Sequence, residues 1–331
     1  MARWDEFVFA CPEATFFHRA GWKTIMEAAF GHRTHFLFAE SDGKIQGVLP
    51  LAEVKSWVFG HSLCSLPFCV YGGIAAISDA ARIALDQAAQ QLAKKLNVDH
   101  LEYRSIAATH PSWGHKDLYV TFRKEIGSDH EQNMLAIPRK QRAMVRKGIK
   151  AELRGEIDKN VDRFFALFAE NVHRHGTPTH SKRYFQLLTE VFKGDCEVLT
   201  VVSSANKPLS TVLTFYFRDE VLPYYAGDDQ SARDFAANDF KYWELMRRAV
   251  ERGCKHFDFG RSKIGTGPYH FKKNWGFEPL PLNYEYQLHR AQQIPDQNPL
   301  NPKYRLFIKA WRTMPLTLAN WFGPHIVKYL G

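Results

Sequence analysis

The chain lacks the short signatures of the commonest catalytic chemistries. It has no Walker A loop, no G-x-G-x-x-G dinucleotide turn, no G-x-S-x-G nucleophile elbow and no H-E-x-x-H zinc pair. P-loop phosphate chemistry, Rossmann-type hydride transfer, α/β-hydrolase chemistry and zinc proteolysis are therefore excluded as first readings. Asp258-Phe259-Gly260 does not signal a kinase, because no His-Arg-Asp loop and no Val-Ala-Ile-Lys strand accompany it. Cysteine is scarce: Cys11, Cys64, Cys69, Cys196 and Cys254 are odd in number, scattered, and contain no C-x-x-C pair. A disulfide framework or zinc ribbon is not expected, and free thiols in a reducing cytoplasm fit the pattern. His173 and His175, an i, i+2 pair, point to opposite faces of a strand and diverge on a helix, and no H-E-x-x-H pattern accompanies them, His180, His32 or His35, so solvated loop and helix-end histidines are expected and no metal site. The first residues, Met1-Ala2-Arg3-Trp4-Asp5-Glu6, carry acids where a secretion signal needs a basic start and an apolar run, so none is expected. Residues 56–78 hold no Lys, Arg, Asp or Glu and are long enough to cross a bilayer. Gly60, His61, Pro67, Gly72 and Gly73 interrupt them, so buried strands and loop are expected there instead.

What is present is ordinary in amount and uneven in charge. The 331 residues suffice for two domains of usual size or one large one. Hydrophobic residues make up 45% and charged residues 24%, which fits a globular chain and excludes a disordered one, a collagen or a long coiled coil. Aromatics at 14% favour a well-buried core with strands. The net charge of +9 suits an anionic partner: nucleic acid, a nucleotide or lipid phosphate, or an anionic membrane.

The patterns along the chain are mixed α/β. Two apolar runs, 36–39 and 46–51, flank Ser41-Asp42-Gly43-Lys44, and Asp-Gly there predicts a hairpin. Residues 63–70 read as one buried strand broken by Pro67, 79–96 as an amphipathic helix and 100–104 as a strand. The second half repeats the order: helices over 160–170 and 181–192, strands over 196–202, 210–217 and 221–226, a helix over 240–252 ended by Gly253, and a strand over 255–259. Two copies of one α/β unit are the simplest account. The expected division is 1–137, 138–290, and a linker plus basic amphipathic tail over 291–331. That tail has no acid from 303 onward and carries Lys303, Arg305, Lys309, Arg312 and Lys328 among apolar residues. It either packs Trp311, Leu318 and Phe322 on the domains or lies on anionic lipid as an interfacial helix.

Two stretches carry candidate chemistry. In residues 138–150, Pro138 suits a first helical turn, and Arg139, Arg142, Arg146 and Lys150 fall on one stripe with Lys140 and Lys147 beside it. No acid interrupts the run, so the cations repel unless an anion relieves them, and arginine forks suit phosphate oxygens. A solvated helix face is the alternative. In residues 258–277 a strand ends at Gly260, and a loop follows with Arg261, Ser262, Lys263, Thr266 and Tyr269, then Lys272 and Lys273 between Phe271 and Trp275. Loops at strand ends are free of the ladder, and amides, hydroxyls and cations together make an anion or oxyanion site. A plain loop with solvated lysines is the alternative.

These residues look familiar as a set. Tyr224-Tyr225-Ala226-Gly227, the helix with Asn238 and Trp243, Phe257-Asp258-Phe259-Gly260 and Phe271-Lys272-Lys273-Asn274-Trp275-Gly276-Phe277 resemble the FemAB family of peptidyltransferases. Val48-Leu49-Pro50-Leu51, Ser65-Leu66-Pro67-Phe68, the basic helix and Gly176-Thr177-Pro178 are similar too, so the likeness spans residues 5–290. Within that family the motifs resemble the FemAB-like variant associated with exosortase (PEP-CTERM) and exopolysaccharide systems. The resemblance implies an α/β (α+β) fold of two tandem GNAT-like domains. It implies transfer of an aminoacyl group from aminoacyl-tRNA to an amine of a peptidoglycan precursor, with acyl-CoA N-acyltransferases as other branches. A family lysine falls on Lys272. No cofactor is expected; the donor is a co-substrate, aminoacyl-tRNA first and acyl-CoA as the alternative. The long coiled-coil arm of some members is absent. Where a CoA-binding turn would carry glycines, this chain reads Gly227-Asp228-Asp229-Gln230-Ser231-Ala232-Arg233-Asp234, and its acids repel pyrophosphate.

The site expectations follow from both readings. Lys272, Asp258 and Tyr225 are the catalytic candidates, Lys272 to stabilise charge on the acyl oxygen or the leaving group. Arg139, Arg142, Arg146, Arg261, Ser262, Lys263, Thr266, Tyr269, Lys273 and Trp275 are the substrate-binding candidates. Asp228, Asp229 and Asp258 are the acids nearest the presumed sheet opening, and the general base stays open among them and the substrate. Partners are tRNA or a nucleotide- or lipid-linked phosphate, in the cytoplasm, with peripheral contact to the inner membrane through the tail. The competing class is a non-catalytic basic adaptor at the membrane surface.

Overall fold

The computed structural model describes residues 1–295 and 305–330. It divides into two compact units. One holds Met1–Tyr119, the segment beginning at Pro281 and the last residues from Lys328; the other holds Val120–Leu280 and the helical segment ending at Val327.

The first unit opens with helices α1 (Ala2–Ala10) and α2 (Gly21–Ile25). Strands β1 (Arg33–Ser41) and β2 (Lys44–Ser56) form the Asp-Gly hairpin, with Asp42 at φ 50° and Gly43 at φ 73° closing a two-residue turn. Strand β3 (Gly60–Cys64) follows, then the two-residue β4 (Ala75–Ala76), helix α3 (Asp79–Leu96), β5 (His100–Ser105) and β6 (Gly114–Lys116). Helix α3 matches its expected span, capped by Ser78, whose hydroxyl accepts from Ala81 N, and ended by Asn97 in the left-handed region. Its buried stripe Leu85, Ala89 and Ala93 packs on Leu49, Leu51, Leu63 and Leu101. The strand expected over 63–70 stops at Cys64, because Leu66 and Phe68, on either side of Pro67, both take φ 64° and turn the chain. Arg104 holds that turn, donating to Glu102 Oε1 at 2.8 Å and to Cys69 O at 3.0 Å.

The second unit begins with β7 (Tyr119–Glu125), α4 (His130–Ala136), α5 (Arg139–Lys150) and β8 (Arg154–Ile157). Helices α6 (Asp162–Arg174) and α7 (Lys182–Phe192) lead to β9 (Cys196–Val202), β10 (Pro208–Phe217) and β11 (Glu220–Asp228). Then come α8 (Ala237–Glu251), β12 (His256–Asp258), β13 (Ser262–Lys263), α9 (Gly267–Asn274) and β14 (Pro279–Pro281). The sheet runs β13-β7-β12-β11-β10-β9-β8, with β14 on β7. Its core gathers Phe122, Val212, Phe240, Trp243, Phe257 and Trp275.

The unit boundaries differ from those expected at 137 and 290. Strand β7 lies within the second sheet, pairing His256–Asp258 with Arg123–Glu125 in antiparallel register, and it buries Val120 and Phe122 there. Strand β15 (Asn283–Leu288) joins the first sheet between β5 and β6, giving the order β1-β2-β3-β5-β15-β6. Tyr284 fixes it by donating to Val70 O at 2.7 Å.

Helices α10 (Arg305–Thr313) and α11 (Leu316–Val327) carry the tail; Lys303 and part of the expected linker lie outside the described residues. The tail packs through Trp311, Ala319 and Gly323, which are buried, while Leu318 and Phe322 are exposed. A Cβ on Gly323 would lie 2.9 Å from Thr179 O, so a small residue lets α11 approach that backbone. Among the described residues no helix is long and apolar enough to cross a membrane.

Candidate functional site

The second sheet opens along one seam. Strand β11 runs to Asp228 but pairs in parallel with β12 only at Glu220↔His256 and Val221↔Phe257. On its other side β11 carries a bulge, since Leu213 faces Tyr225 and Thr214 faces Pro223, which leaves Tyr224 extra. Beyond Val221 the β12-facing edge of β11 is therefore off the ladder, and Tyr224, Tyr225 and Ala226 are half-buried along it. A Cβ on Gly227 would lie 2.6 Å from Phe168 Cα, so this glycine lets α6 press on the end of β11. Tyr225 shares a 2.9 Å hydroxyl contact with Tyr184, inside an aromatic cage that includes Phe168, Phe185 and His180. Burial pushes His180 down to about 3, so it is a neutral ring at ordinary pH.

Asp258 ends β12 and is 1% exposed. Its Oδ1 accepts from Gly260 N at 2.7 Å and Thr121 Oγ1 at 3.1 Å, so it anchors the loop that leaves the sheet. Nearby Glu220 is pushed up to about 7, by burial first and then by the charge of Asp258, against its Arg123 partner.

Lys272 lies on α9 and is 8% exposed. Its ammonium donates to Phe259 O at 2.8 Å, Gly260 O at 2.9 Å and Arg261 O at 3.2 Å. An ammonium has three protons, and all three are committed to the backbone of this loop. Lys272 therefore braces the loop and has no spare donor to aim at a developing oxyanion. Burial pushes Lys272 down to about 7, Asp258 opposes this, and Arg261 adds to it. The three carbonyls also oppose it, since each accepts better from an ammonium than from an amine.

The other loop residues divide into inner and outer sets. Ser262 is buried; Arg261, Lys263, Thr266 and Tyr269 are half-buried, and Lys273 is exposed. Thr266 Oγ1 donates back to Lys263 O at 2.8 Å, and Tyr269 meets Phe122 edge-on. Trp275 is 1% exposed and gives its indole N–H to Asp239 Oδ1 at 2.9 Å, so it serves the core and not a ligand surface.

Asp239 is a hub the sequence did not reveal. The same Oδ1 accepts from Gln141 Nε2 at 3.1 Å, tying α5, α8 and α9 together. Its only local signal is an acid in the first turn of a helix, which reads as a charge facing the dipole. Burial raises its pKa. A Cβ on Gly276 would meet the Pro138 ring at 3.2 Å, a second link between α9 and the start of α5.

Helix α5 buries Gln141, Val145 and Gly148. A Cβ on Gly148 would lie 2.7 Å from Phe240 Cβ, so glycine sets the close approach to α8. Arg139, Lys140, Arg146, Lys147 and Lys150 are exposed, and Arg142 is half-buried with Nε on Ile137 O at 3.2 Å. Ala143, on the same helix, is also exposed. Among the described residues none of these six cations makes an ion pair, although Arg163, Arg248, Arg252 and Lys241 elsewhere in the unit each have a carboxylate partner. The α5 cations and Lys272 thus differ in kind: the former face solvent, and the latter is spent on backbone.

The turn after β11 is filled by its own side chains. Asp228 Oδ1 takes Lys241 Nζ at 3.1 Å and the Ser210 hydroxyl, and the Lys241 side chain is 0% exposed. Asp229 accepts Ser231 N at 2.8 Å and Lys207 Nζ at 2.9 Å, and those bonds, outweighing desolvation, hold it at about 2. The Ser231 amide is therefore taken by a carboxylate of its own turn. Among the described residues no three His, Cys, Asp or Glu side chains group in a way that could hold a metal ion.

Comparison with known proteins agrees with this architecture. Residues 137–273 match the acetyltransferase (GNAT) domain family. No curated protein matches the chain. Among solved structures, FemX is similar at 16% identity with TM-score 0.70, covering 93% of this chain and 98% of that one. The C-terminal domain of a lysylphosphatidylglycerol synthetase from Agrobacterium fabrum is similar at 12% identity with TM-score 0.58, covering 87% and 91%. A tandem GNAT protein from the clavulanic acid biosynthesis pathway is similar at 11% identity with TM-score 0.55, covering 88% and 95%. The chain has a mixed α/β fold of two tandem GNAT-like units, and the match to the acetyltransferase (GNAT) domain family lies within the second.

Proposed function

We propose that the chain is an acyltransferase that moves an aminoacyl or acyl group onto an amine of a cell-envelope precursor, a peptidoglycan peptide or an exopolysaccharide-related acceptor. An aminoacyl-tRNA-type donor is favoured. The observation that carries the donor is the set of unpaired cations on α5, set against a turn at 227–234 whose amides and cations are taken by Asp228 and Asp229. Phosphate on a nucleic acid or a lipid-linked acceptor relieves such a row. The amine attacks the acyl carbonyl, the new C–N bond forms as the ester C–O bond breaks, the amine loses a proton, and the donor hydroxyl leaves with one. The opened edge of β11 beside Tyr225 offers unladdered backbone groups for the acyl carbonyl or the acceptor. In this reading Lys272 and Asp258 are positioning residues that hold the 259–263 loop, from which Arg261 and Lys263 face the reactants. The resemblance of the motifs to FemAB peptidyltransferases is what supports a cell-envelope acceptor.

A second reading is an acyl-CoA-dependent N-acetyltransferase, favoured by the family match over residues 137–273. The two are separated by thermal shift and filter binding, since a ligand that binds only the folded state raises its melting temperature. Charged tRNA is expected to stabilise the protein and acetyl-CoA is not. Arg139→Ala with Arg146→Ala should lower tRNA affinity and reduce the slope of log K against log salt by about 0.7–0.9 for each lost contact. Stabilisation by acetyl-CoA with none by tRNA reverses the assignment.

A further inference from the structure

Three consecutive apolar side chains occupy the turn between β2 and β3. Trp57 is 107% exposed, Val58 82% and Phe59 39%. Turns ordinarily carry Gly, Asn, Asp, Ser or Pro, and among the described residues Trp57 and Val58 are left almost wholly uncovered, with Phe59 partly so. Two backbone N–H groups at the tip are satisfied locally. Val58 N and Phe59 N both donate to Ser56 Oγ, each at 3.2 Å, and Ser56 pairs with Gly60, whose φ of 85° closes the turn. A tip that carries its own acceptor can leave water without stranding those N–H groups.

Cations collar the same end of the sheet. Lys55 immediately precedes the turn and faces His61 across the ladder. Asp99 N donates to His61 O, and Asp99 Oδ2 accepts His61 N, each at 2.7 Å, which brings the end of α3 with Lys94 and Lys95 to the tip. Arg290 joins them, its Nε 3.5 Å from Asp99 Oδ1. The two acids here are occupied: Asp99 by Arg290 and the His61 amide, Glu53 by His61 at 2.8 Å and His35 at 3.5 Å. Lys55, Lys94 and Lys95 are exposed and make no ion pair among the described residues. An apolar aromatic wedge ringed by unpaired lysines matches a bilayer interface, where Trp sits at headgroup level and lysines meet anionic lipid. A protein groove could seat the tryptophan, but spread lysines without a fixed partner suit a diffuse anionic surface better.

We propose that the β2–β3 hairpin tip is a peripheral membrane anchor that dips Trp57, Val58 and Phe59 into the headgroup region of an anionic bilayer. The proposal concerns where the protein sits and stands apart from the group it transfers. It is tested by flotation of the full chain with phosphatidylcholine vesicles, with and without phosphatidylglycerol. The wild type should float with the anionic vesicles and far less with the neutral ones. A triple variant Trp57→Ser, Val58→Ser, Phe59→Ser should lose about tenfold or more in partitioning, the scale expected when a few apolar side chains stop inserting. Trp321→Ser, on the tail, should keep wild-type flotation. Melting curves check that the variants fold, which the high exposure of Trp57 and Val58 favours. The anchor is overturned if the wild type stays at the bottom of the gradient, if it floats equally with neutral vesicles, or if the tip variant floats as well as wild type.

Discussion

Replacing Lys272 by methionine removes the ammonium and keeps most of the stem. Three backbone carbonyls, Phe259 O, Gly260 O and Arg261 O, then lose their donor. Each stranded buried acceptor costs ~1–3 kcal/mol, so three give a gross loss of about 3–9 kcal/mol. The variant no longer buries a charge, which returns part of that, and a net loss of about 2–4 kcal/mol remains. Against a typical total of ~5–15 kcal/mol this is easily measured. Urea unfolding followed by tryptophan fluorescence should show an earlier transition, and amide exchange should speed up over residues 259–266. Lys272→Ala should lose more, through the missing stem. The reasoning is refuted if Lys272→Met leaves stability and exchange unchanged while turnover falls by ~10²–10³, the mark of a donor lost from the reacting oxygen.

Two further perturbations probe the scaffold. His110 sits between Asp86 at 3.2 Å and Glu285 at 3.6 Å; burial lowers its pKa, but those two carboxylates outweigh burial and push it up to about 9. Its folded value lies above the unfolded one, so the stabilisation is complete below pH ~6.5 and lost as pH rises through about 9. Discounted for solvent screening at its open edge, it is worth about 1–2 kcal/mol, and the melting-temperature gap between wild type and His110→Phe should close between pH 7 and 10. A gap that stays constant with pH would contradict the ion pair. Gly227→Ala places a methyl 2.6 Å from Phe168 Cα, backbone that cannot swing aside, and should destabilise by about 1–3 kcal/mol in chemical denaturation. A neutral result would mean that α6 does not sit tight on β11.

Elements with a strong local period were legible in the sequence. Helix α3, the basic helix α5 and the Asp42-Gly43 hairpin follow from caps, spacing and turn chemistry that neighbours in the chain supply. The doubled α/β order was legible as well. Side-chain destinations were less so. Lys272 and Lys273 are adjacent and identical in type, yet one is spent on three carbonyls and the other is exposed. That difference is set by which way α9 turns against β12, and spacing alone does not encode it. Trp275 similarly reads as a ligand-facing ring until Asp239, 36 residues earlier, claims its N–H. The placement of β15 depends on pairing with residues about 180 positions away, a choice made by tertiary packing.

The late return of Asn283–Leu288 bears on how the chain is made. It fills the slot between β5 and β6 and pairs with both, so the amino-terminal sheet is incomplete until nearly nine-tenths of the polypeptide has left the ribosome. The half synthesised first must wait, with open strand edges, for a ribbon that follows the entire second unit. Fragments cut at 137 or at 290 would divide the molecule across its weave: a 1–137 piece lacks a central strand, and a 138–290 piece lacks β7 while carrying a strand with nowhere to pair. Neither fragment carries a complete sheet.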